Sequence, residues 1–313
     1  MNSDLFFSVV VPLYNKEQHI KRAVLSVLDQ NFIRYELLIV DDGSTDNSYE
    51  VAKSIEDDRI RIIRQSNQGE CAARNRGILE SSSEFIAFLD ADDCWKPSFL
   101  DQIASLIKEY PTCGVYATSY EVVDEFGVCQ PLKKSYFVRG WRGILDNYFE
   151  IIRDYFPFNS SSVAIRKEAL KKVNGFPVGV KLGGDIATWF NLCTVTKFAY
   201  VNLPFSTIHY DAENRVTMTY KKPLNDYAPI TTLSNLTRNG KLSLQNTQHA
   251  INYLAKKQLP IVRHYLENGD SLNARKALSL CKGTTRYAKA WRKYYLYSWL
   301  PSRIGQWAIK NRP

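Results

Sequence analysis

Residues 6–110 alternate between apolar runs and segments of helical period, and this alternation constrains the fold more than any other feature. The runs are "FFSVVVPLY" (6–14), "YELLIVD" (35–41), "RIRII" (59–63) and "EFIAFLD" (84–90). Between and after them lie "HIKRAVLSVLDQ" (19–30), "STDNSYEVAKSIED" (44–57), "CAARNRGILESS" (71–82) and "PSFLDQIASLIKEY" (97–110). Strands that are apolar throughout are buried on both faces, and a helix between consecutive strands makes their pairing parallel. The pattern predicts an α/β fold: a Rossmann-like sheet with helices on both faces. Ligands of such sheets sit beyond the carboxyl ends of the strands. That rule brings "PLYN" (12–15), "DDGSTD" (41–46) and "DADD" (90–93) to one crevice.

Beyond residue 110 the pattern loosens. "GVYATSYEVVDEFG" (114–127) reads as a strand entering a turn, and "NSSSVAIRKEALKKVNGF" (159–176) as a strand, a helix and a glycine stop. "KLGGDIATWFNLCTV" (181–195) is a Gly-Gly loop feeding a helix. "FAYVNLPFSTIHYDAENRVT" (198–217) is a strand followed by a polar loop. After 225 the chain reads as helices only. Charge divides the same way: residues 221–313 hold 17 Lys and Arg against Asp226, Glu267 and Asp270, a net +14, while the first 220 residues carry −5. Two regions with different roles are expected: 1–220, split into halves at about 110, and a basic helical region 221–313.

The apolar run at the N-terminus is about ten residues, where a spanning helix needs ~20. It also lacks the basic region and cleavage site of a signal peptide, so a buried strand is expected there. The six cysteines, at 71, 94, 113, 129, 193 and 281, are scattered without paired spacing. They indicate neither a disulfide framework nor a zinc knuckle, and they suit a reducing compartment.

Three carboxylates close the fourth apolar run: Asp90, Asp92 and Asp93. Hard divalent cations take carboxylate oxygens and keep waters and substrate phosphates in their shell. Asp90 and Asp92 would serve such a metal and a nearby ribose; alternatively the segment is a polar turn with Asp93 capping a helix from Pro97. Asp42 would tie down a base or ribose, while Ser44, Thr45 or Asp46 caps the next helix. Arg74 and Arg76 would pair with a diphosphate or stack on a base, or form a solvated pair. Asp185, at a helix start, is an N-cap or a general base. His209 is a structural residue or a ligand; His19, His249 and His264 receive no role.

"SVVVPLYN", "VDDGSTD", "AARNRG" and "FLDADD" follow one another in this order and at these spacings. The series resembles the inverting nucleotide-sugar glycosyltransferases of family 2, which have the GT-A fold; the match covers residues 6 to about 110 and extends more loosely to about 217. The resemblance implies that Pro12 and Tyr14 lie against the nucleotide base and that Asp42 hydrogen-bonds it. It implies that Arg74 faces the base or diphosphate, and that Asp90 and Asp92 form the DxD motif. Asp92 is then the more direct ligand of Mn²⁺ or Mg²⁺, and Asp90 lies nearer the ribose. Asp185 falls at the catalytic base, where the family often has an acidic residue first; here the pair is Gly184-Asp185. His209 would complete the metal shell or contact the diphosphate. The implied reaction moves a sugar from a nucleoside-diphosphate sugar, with UDP the usual nucleotide, to a glycan or lipid-linked acceptor in surface-polysaccharide synthesis.

Two other functions compete. A sugar-nucleotide or glycan-binding protein could keep the fold without turnover. A nucleotidyltransferase would carry a glycine-rich basic loop, which "PLYNKEQHIKR" is not. The basic tail interleaves Trp291, Tyr294, Tyr295, Tyr297, Trp299 and Trp307 with Arg286, Lys289, Arg292, Lys293, Arg303 and Lys310. It carries no nucleic-acid-binding motif. It is either a solvated helical appendage or, through residues 284–313, a surface for anionic headgroups. The latter would place the protein in the cytoplasm, peripheral on the inner face of the membrane.

Overall fold

The computed structural model describes residues 5–124, 126–131, 135–211 and 227–311. It opens with β1 (Phe7–Leu13), α1 (Ile20–Leu28), β2 (Tyr35–Asp41), α2 (Ser48–Lys53), β3 (Ile60–Arg64), α3 (Glu70–Glu80) and β4 (Phe85–Phe88). β1 and β4 are buried along their whole length, as continuous Val, Ile, Leu and Phe runs require. In α1 the buried residues Ile20, Ala23, Val24 and Val27 recur at helical spacing, so one stripe faces the sheet. α3 lies on β1 so closely that a Cβ at Gly77 would overlap the Val10 side chain.

These strands pair in parallel in the order β3-β2-β1-β4, with Phe7 opposite Tyr35 on one side of β1 and Phe85 on the other. The chain therefore steps outward from β1 to β3 and returns to the opposite side of β1. Such a reversal opens a crevice at the carboxyl ends. Pro12 sits in β1 without cost to the ladder. Leu89 donates to the Val10 carbonyl, so even-numbered β1 residues face β4, and β4 ends before Pro12 would need a partner.

The chain continues through β5 (Cys94–Trp95), α4 (Phe99–Glu109), β6 (Val115–Val123), β7 (Cys129–Pro131), β8 (Arg142–Ile144), α5 (Tyr148–Ile151), β9 (Val163–Arg166), α6 (Lys167–Lys172), α7 (Gly184–Leu192) and β10 (Phe198–His209). The sheet extends as β4-β9-β6-β10-β5 and is mixed. β9 runs antiparallel between β4 and β6, β6 and β10 pair in parallel, and β5, β7 and β8 add antiparallel edges. Parallel pairing thus holds through β1–β4, where a helix follows each of the first three strands, and the direction reverses at β9, which follows α5, a loop and a short 3₁₀ turn at Ser160–Ser162.

The helices α8 (Ala228–Arg238), α9 (Leu244–Glu267), α10 (Ser271–Ser279), α11 (Ala288–Tyr297) and α12 (Ser302–Asn311) follow. The chain forms two compact units. One holds the described residues to Asp146 and from Tyr155 to Asp211; the other joins Asn147–Asp154 to α8–α12. The boundary expected between 220 and 221, and the polar loop from 212, lie outside the described residues. Within the second unit Lys256 on α9 donates to the Arg153 carbonyl (2.7 Å) and pairs with Asp154 (2.9 Å). Tyr253, Leu254, Val262 and Leu266 of α9 form its core with Ala274 and Leu278. No helix among the described residues is long and apolar enough to cross a membrane.

Candidate functional site

At the carboxyl end of β1, Tyr14 is 46% exposed and Asn15 takes a left-handed conformation (φ 51°), which asparagine tolerates. That bend lets the loops after β1 and β2 lock together. Asn15 accepts from the Thr45 N–H (2.8 Å), and its own N–H donates to the Ser44 hydroxyl (3.1 Å). The Lys16 N–H donates to the Ser48 hydroxyl (2.6 Å), and Asp46 accepts from the N–H groups of Ser48 and Glu17. Pro12 is buried within β1. Asp42 is 2% exposed and its carboxylate is occupied by the loop after β3. It accepts from Gln65 Nε2 (2.7 Å), the Gln68 N–H (3.0 Å) and the Gly69 N–H (2.7 Å). The Gln68 N–H also reaches the second carboxylate oxygen (3.2 Å), so each oxygen accepts two contacts from this loop.

The three carboxylates after β4 each have a separate solution to their mutual repulsion. Asp90 meets the Arg74 guanidinium at 2.6 Å, and Asp92 meets the Lys16 ammonium at 2.8 Å. Asp93 is buried, accepts from the Ser161 hydroxyl and from the His209 backbone N–H, and is not a helix cap: α4 begins only at Phe99. Burial, followed by the nearby charges of Asp92 and Asp90, pushes the Asp93 carboxyl well above the usual range. Burial also lifts the Asp90 carboxyl to about 6, although Arg74 pulls in the opposite direction.

Arg74 is the hub of this cluster. It is 2% exposed, bonds both Asp90 and Glu70, and places its guanidinium 5.3 Å from the Phe176 ring centre. Burial opposes its charge, yet the carboxylates of Glu70 and Asp90 hold its pKa above the usual value, so it stays cationic. The guanidinium expected to face the base or diphosphate is bonded to the protein's own acids. Arg76 lies on the exposed side of α3 and pairs with Glu80.

Asp185 stands in the first turn of α7, after Gly183 in a left-handed conformation (φ 77°). Burial raises its carboxyl above the ordinary value, while Arg74 draws it down and Asp90 adds to the rise. Asp90, Arg74 and Asp185 thus form one electrostatic group. α3 also positions the approach to α7. Asn75 exchanges two hydrogen bonds with the Phe176 backbone, both 2.8 Å, and Cys71 packs its sulfur against Gly184.

His209 ends β10, with its ring Nε2 3.3 Å from the Cys94 sulfur. Burial and then Arg22 lower its pKa and favour the neutral ring, against pulls from Asp211 and Asp92. Arg22 donates to the Asp92 carbonyl (2.7 Å) and pairs with Asp211 (3.1 Å). Lys16, Arg22, Glu70 and Ser161 had no role in the sequence reading. The basic character of "NKEQHIKR" directly after a strand signalled the first two; Ser161 carried no signal.

Among the described residues no three His, Cys, Asp or Glu side chains form a metal cage. Asp92 and Asp90 are carboxylates of the kind that would hold a Mg²⁺ or Mn²⁺ ion, which takes one or two carboxylates and completes its shell from substrate phosphates and water.

The chain resembles known proteins over both sequence and fold. An uncharacterized glycosyltransferase of Rickettsia bellii is 29% identical over 220 residues, 70% of this chain and 31% of the relative. The putative teichuronic acid biosynthesis glycosyltransferase TuaG of Bacillus subtilis is 30% identical over 188 residues, 59% of this chain and 71% of the relative. The chain spans about a third of the length of several curated relatives it matches. Residues 1–349 of S. aureus TarS, solved with UDP-GlcNAc, share the fold at a TM-score of 0.63 and 18% identity, over 93% of this chain and 79% of that one. The model of glycosyl transferase family 2 matches residues 8–173, more than half of the 313 residues, and the chain belongs to that family.

Proposed function

We propose that this protein transfers a sugar from a nucleoside-diphosphate sugar to a hydroxyl of a glycan or lipid-linked acceptor, with inversion at the anomeric carbon. The observation that carries this reading is the group Asp90–Arg74–Asp185, in which one buried guanidinium acts on two carboxylates from different elements at the strand-end crevice. A UDP-sugar is favoured because the TarS structures that share the fold were solved with UDP-GlcNAc and UDP. A polysaccharide acceptor is in keeping with the teichuronic acid assignment of the B. subtilis relative.

In this reading Asp185 takes the proton of the acceptor hydroxyl as that oxygen attacks the anomeric carbon. The bond from that carbon to the diphosphate oxygen breaks, and its electron pair leaves with the diphosphate. Burial gives Asp185 the raised basicity that proton transfer near neutral pH needs. Arg74 holds Asp90 in one orientation. Lys16 and Arg22 fix Asp92 and add positive charge beside it, which favours the departing anion. A bound Mn²⁺ or Mg²⁺, held through Asp92 with Asp90 and His209 as neighbouring donors, would offset the charge of the leaving diphosphate. Tyr14, exposed at the β1 end, offers its ring to the base. The C-terminal helices would dock the enzyme on the inner face of the cytoplasmic membrane.

A thermal-shift series of nucleoside diphosphates and UDP-sugars, with and without Mn²⁺, tests the donor site. Stabilisation by a uridine nucleotide that grows with Mn²⁺ is expected. No shift with any nucleotide would turn the assignment toward a glycan-binding protein.

A further inference from the structure

The second unit contains a cavity of about 490 Å³ among α8, α9 and α10 that the reaction above does not use. Its size is that of small-molecule sites, which run from about 300 to 1,000 Å³. Two polar side chains of its lining are deeply buried: Ser234 is 8% exposed and Gln258 6%. Among the described residues the Ser234 hydroxyl has no hydrogen-bond partner, and Gln258 makes no side-chain hydrogen bond. A helical hydroxyl ordinarily turns back to the preceding turn. Thr237 on the same helix does so, donating to the Leu233 carbonyl at 2.7 Å. Ser234 instead lines the cavity, and a buried polar group left without a partner is unfavourable unless something fills it.

Charge narrows what that is. Arg238 and Lys276 line the cavity, and among the described residues no Asp or Glu lines it and neither cation makes a contact ion pair, although Lys276 lies close enough to Asp270 to lower the pKa of that carboxyl. Two other arginines of this unit are engaged: Arg263 pairs with Glu267, and Arg275 donates to the Ser298 carbonyl and lies over Trp299. Tyr265 and Ile261 supply an apolar wall. Two cations without a contact ion pair among the described residues, buried hydroxyl and amide groups, and an aromatic wall match a sugar ring that carries an anionic substituent.

We infer that this cavity binds an acidic sugar, one bearing a carboxylate or phosphate. The anionic group would lie between Arg238 and Lys276, with ring hydroxyls toward Ser234 and Gln258. The site is separate from the strand-end crevice and does not depend on the catalytic reading.

Calorimetric titration of the full chain tests it, with glucuronate, glucose 6-phosphate, glucose and inorganic phosphate as probes. The two acidic sugars should bind, and glucose and phosphate should each bind at least about tenfold more weakly, since each supplies half of the recognition. Arg238→Gln with Lys276→Gln, both at exposed positions, should lower acidic-sugar affinity about tenfold or more. Gln258→Leu should do the same from inside the cavity. A glucuronate-containing tetrasaccharide that binds more tightly than the monomer would assign the site to an acidic glycan chain; equal affinity would assign it to free acidic sugars. The inference is overturned if neither acidic sugar binds, if phosphate alone binds as tightly, or if the exposed double variant binds like the wild type.

Discussion

Asp90 pairs with the Arg74 guanidinium, and the charge of that guanidinium also acts on Asp185. If Asp185 is the base, Asp185→Asn should lower turnover by about 10²–10⁴ while leaving UDP-sugar affinity unchanged. Single-turnover kinetics beside calorimetry checks this, and wild-type turnover would remove the assignment. The sign of the pH dependence is set by burial. The carboxyl of Asp185 is raised, and only its ionised form accepts a proton, so turnover should fall about tenfold per pH unit below its pKa. Arg74 draws that pKa down, so Arg74→Gln should move the acid limb to higher pH; an unmoved limb would show that Arg74 does not act on the base. Asp90, at about 6, adds a loss of donor affinity below that pH.

At the scale of elements, α3 organises the site. It carries Arg74 to Asp90, Asn75 to the Phe176 backbone, and Cys71 to the start of α7. That packing explains why glycine stands where the family often has an acidic residue, since a Cβ at 184 would overlap the Cys71 sulfur. Gly184→Ala should destabilise by about 1–3 kcal/mol through overpacking. Cys71→Ala together with Gly184→Ala should recover most of that loss, because contacting residues do not contribute additively. Denaturant unfolding of the three variants measures the coupling, and additive losses would mean that some other contact excludes the side chain.

At the scale of the molecule, the second unit carries the net positive charge and presents apolar side chains on its last two helices and the turn between them. Trp299 is 63% exposed and Trp307 57%, while Trp291 is tied to the Leu278 carbonyl and stacked on Tyr295. The unit is therefore a sorted surface, with some aromatics structural and others outward. For an anionic bilayer each Lys or Arg near the surface contributes about 1 kcal/mol. Arg292→Gln with Lys293→Gln should therefore weaken binding to phosphatidylserine vesicles by about 30-fold, and Trp299→Ala should weaken it further. Equal sedimentation of variant and wild type would leave these helices as a solvated appendage.

Much of the first unit was legible because helix and strand periods are local. β2 falls on 35–41 as read, and β1, β3 and β4 lie within a few residues of their apolar runs. The crevice was legible from the carboxyl ends of parallel strands, and with it the neighbourhood of Asp42, Asp90 and Asp92. The two- and three-residue strands β5, β7 and β8 were not, since so few residues carry no period. Nor was the reversal at β9, because strand direction is set by partners rather than by residues. The partners of the carboxylates lie furthest from view: Lys16 reaches Asp92 across 76 positions and Ser161 reaches Asp93 across 68. By itself the sequence determined the longer strands and helices and where acids gather. Tertiary structure decided which cation each acid meets, and hence which carboxylates stay charged, because those pairings depend on burial and distance between segments remote along the chain.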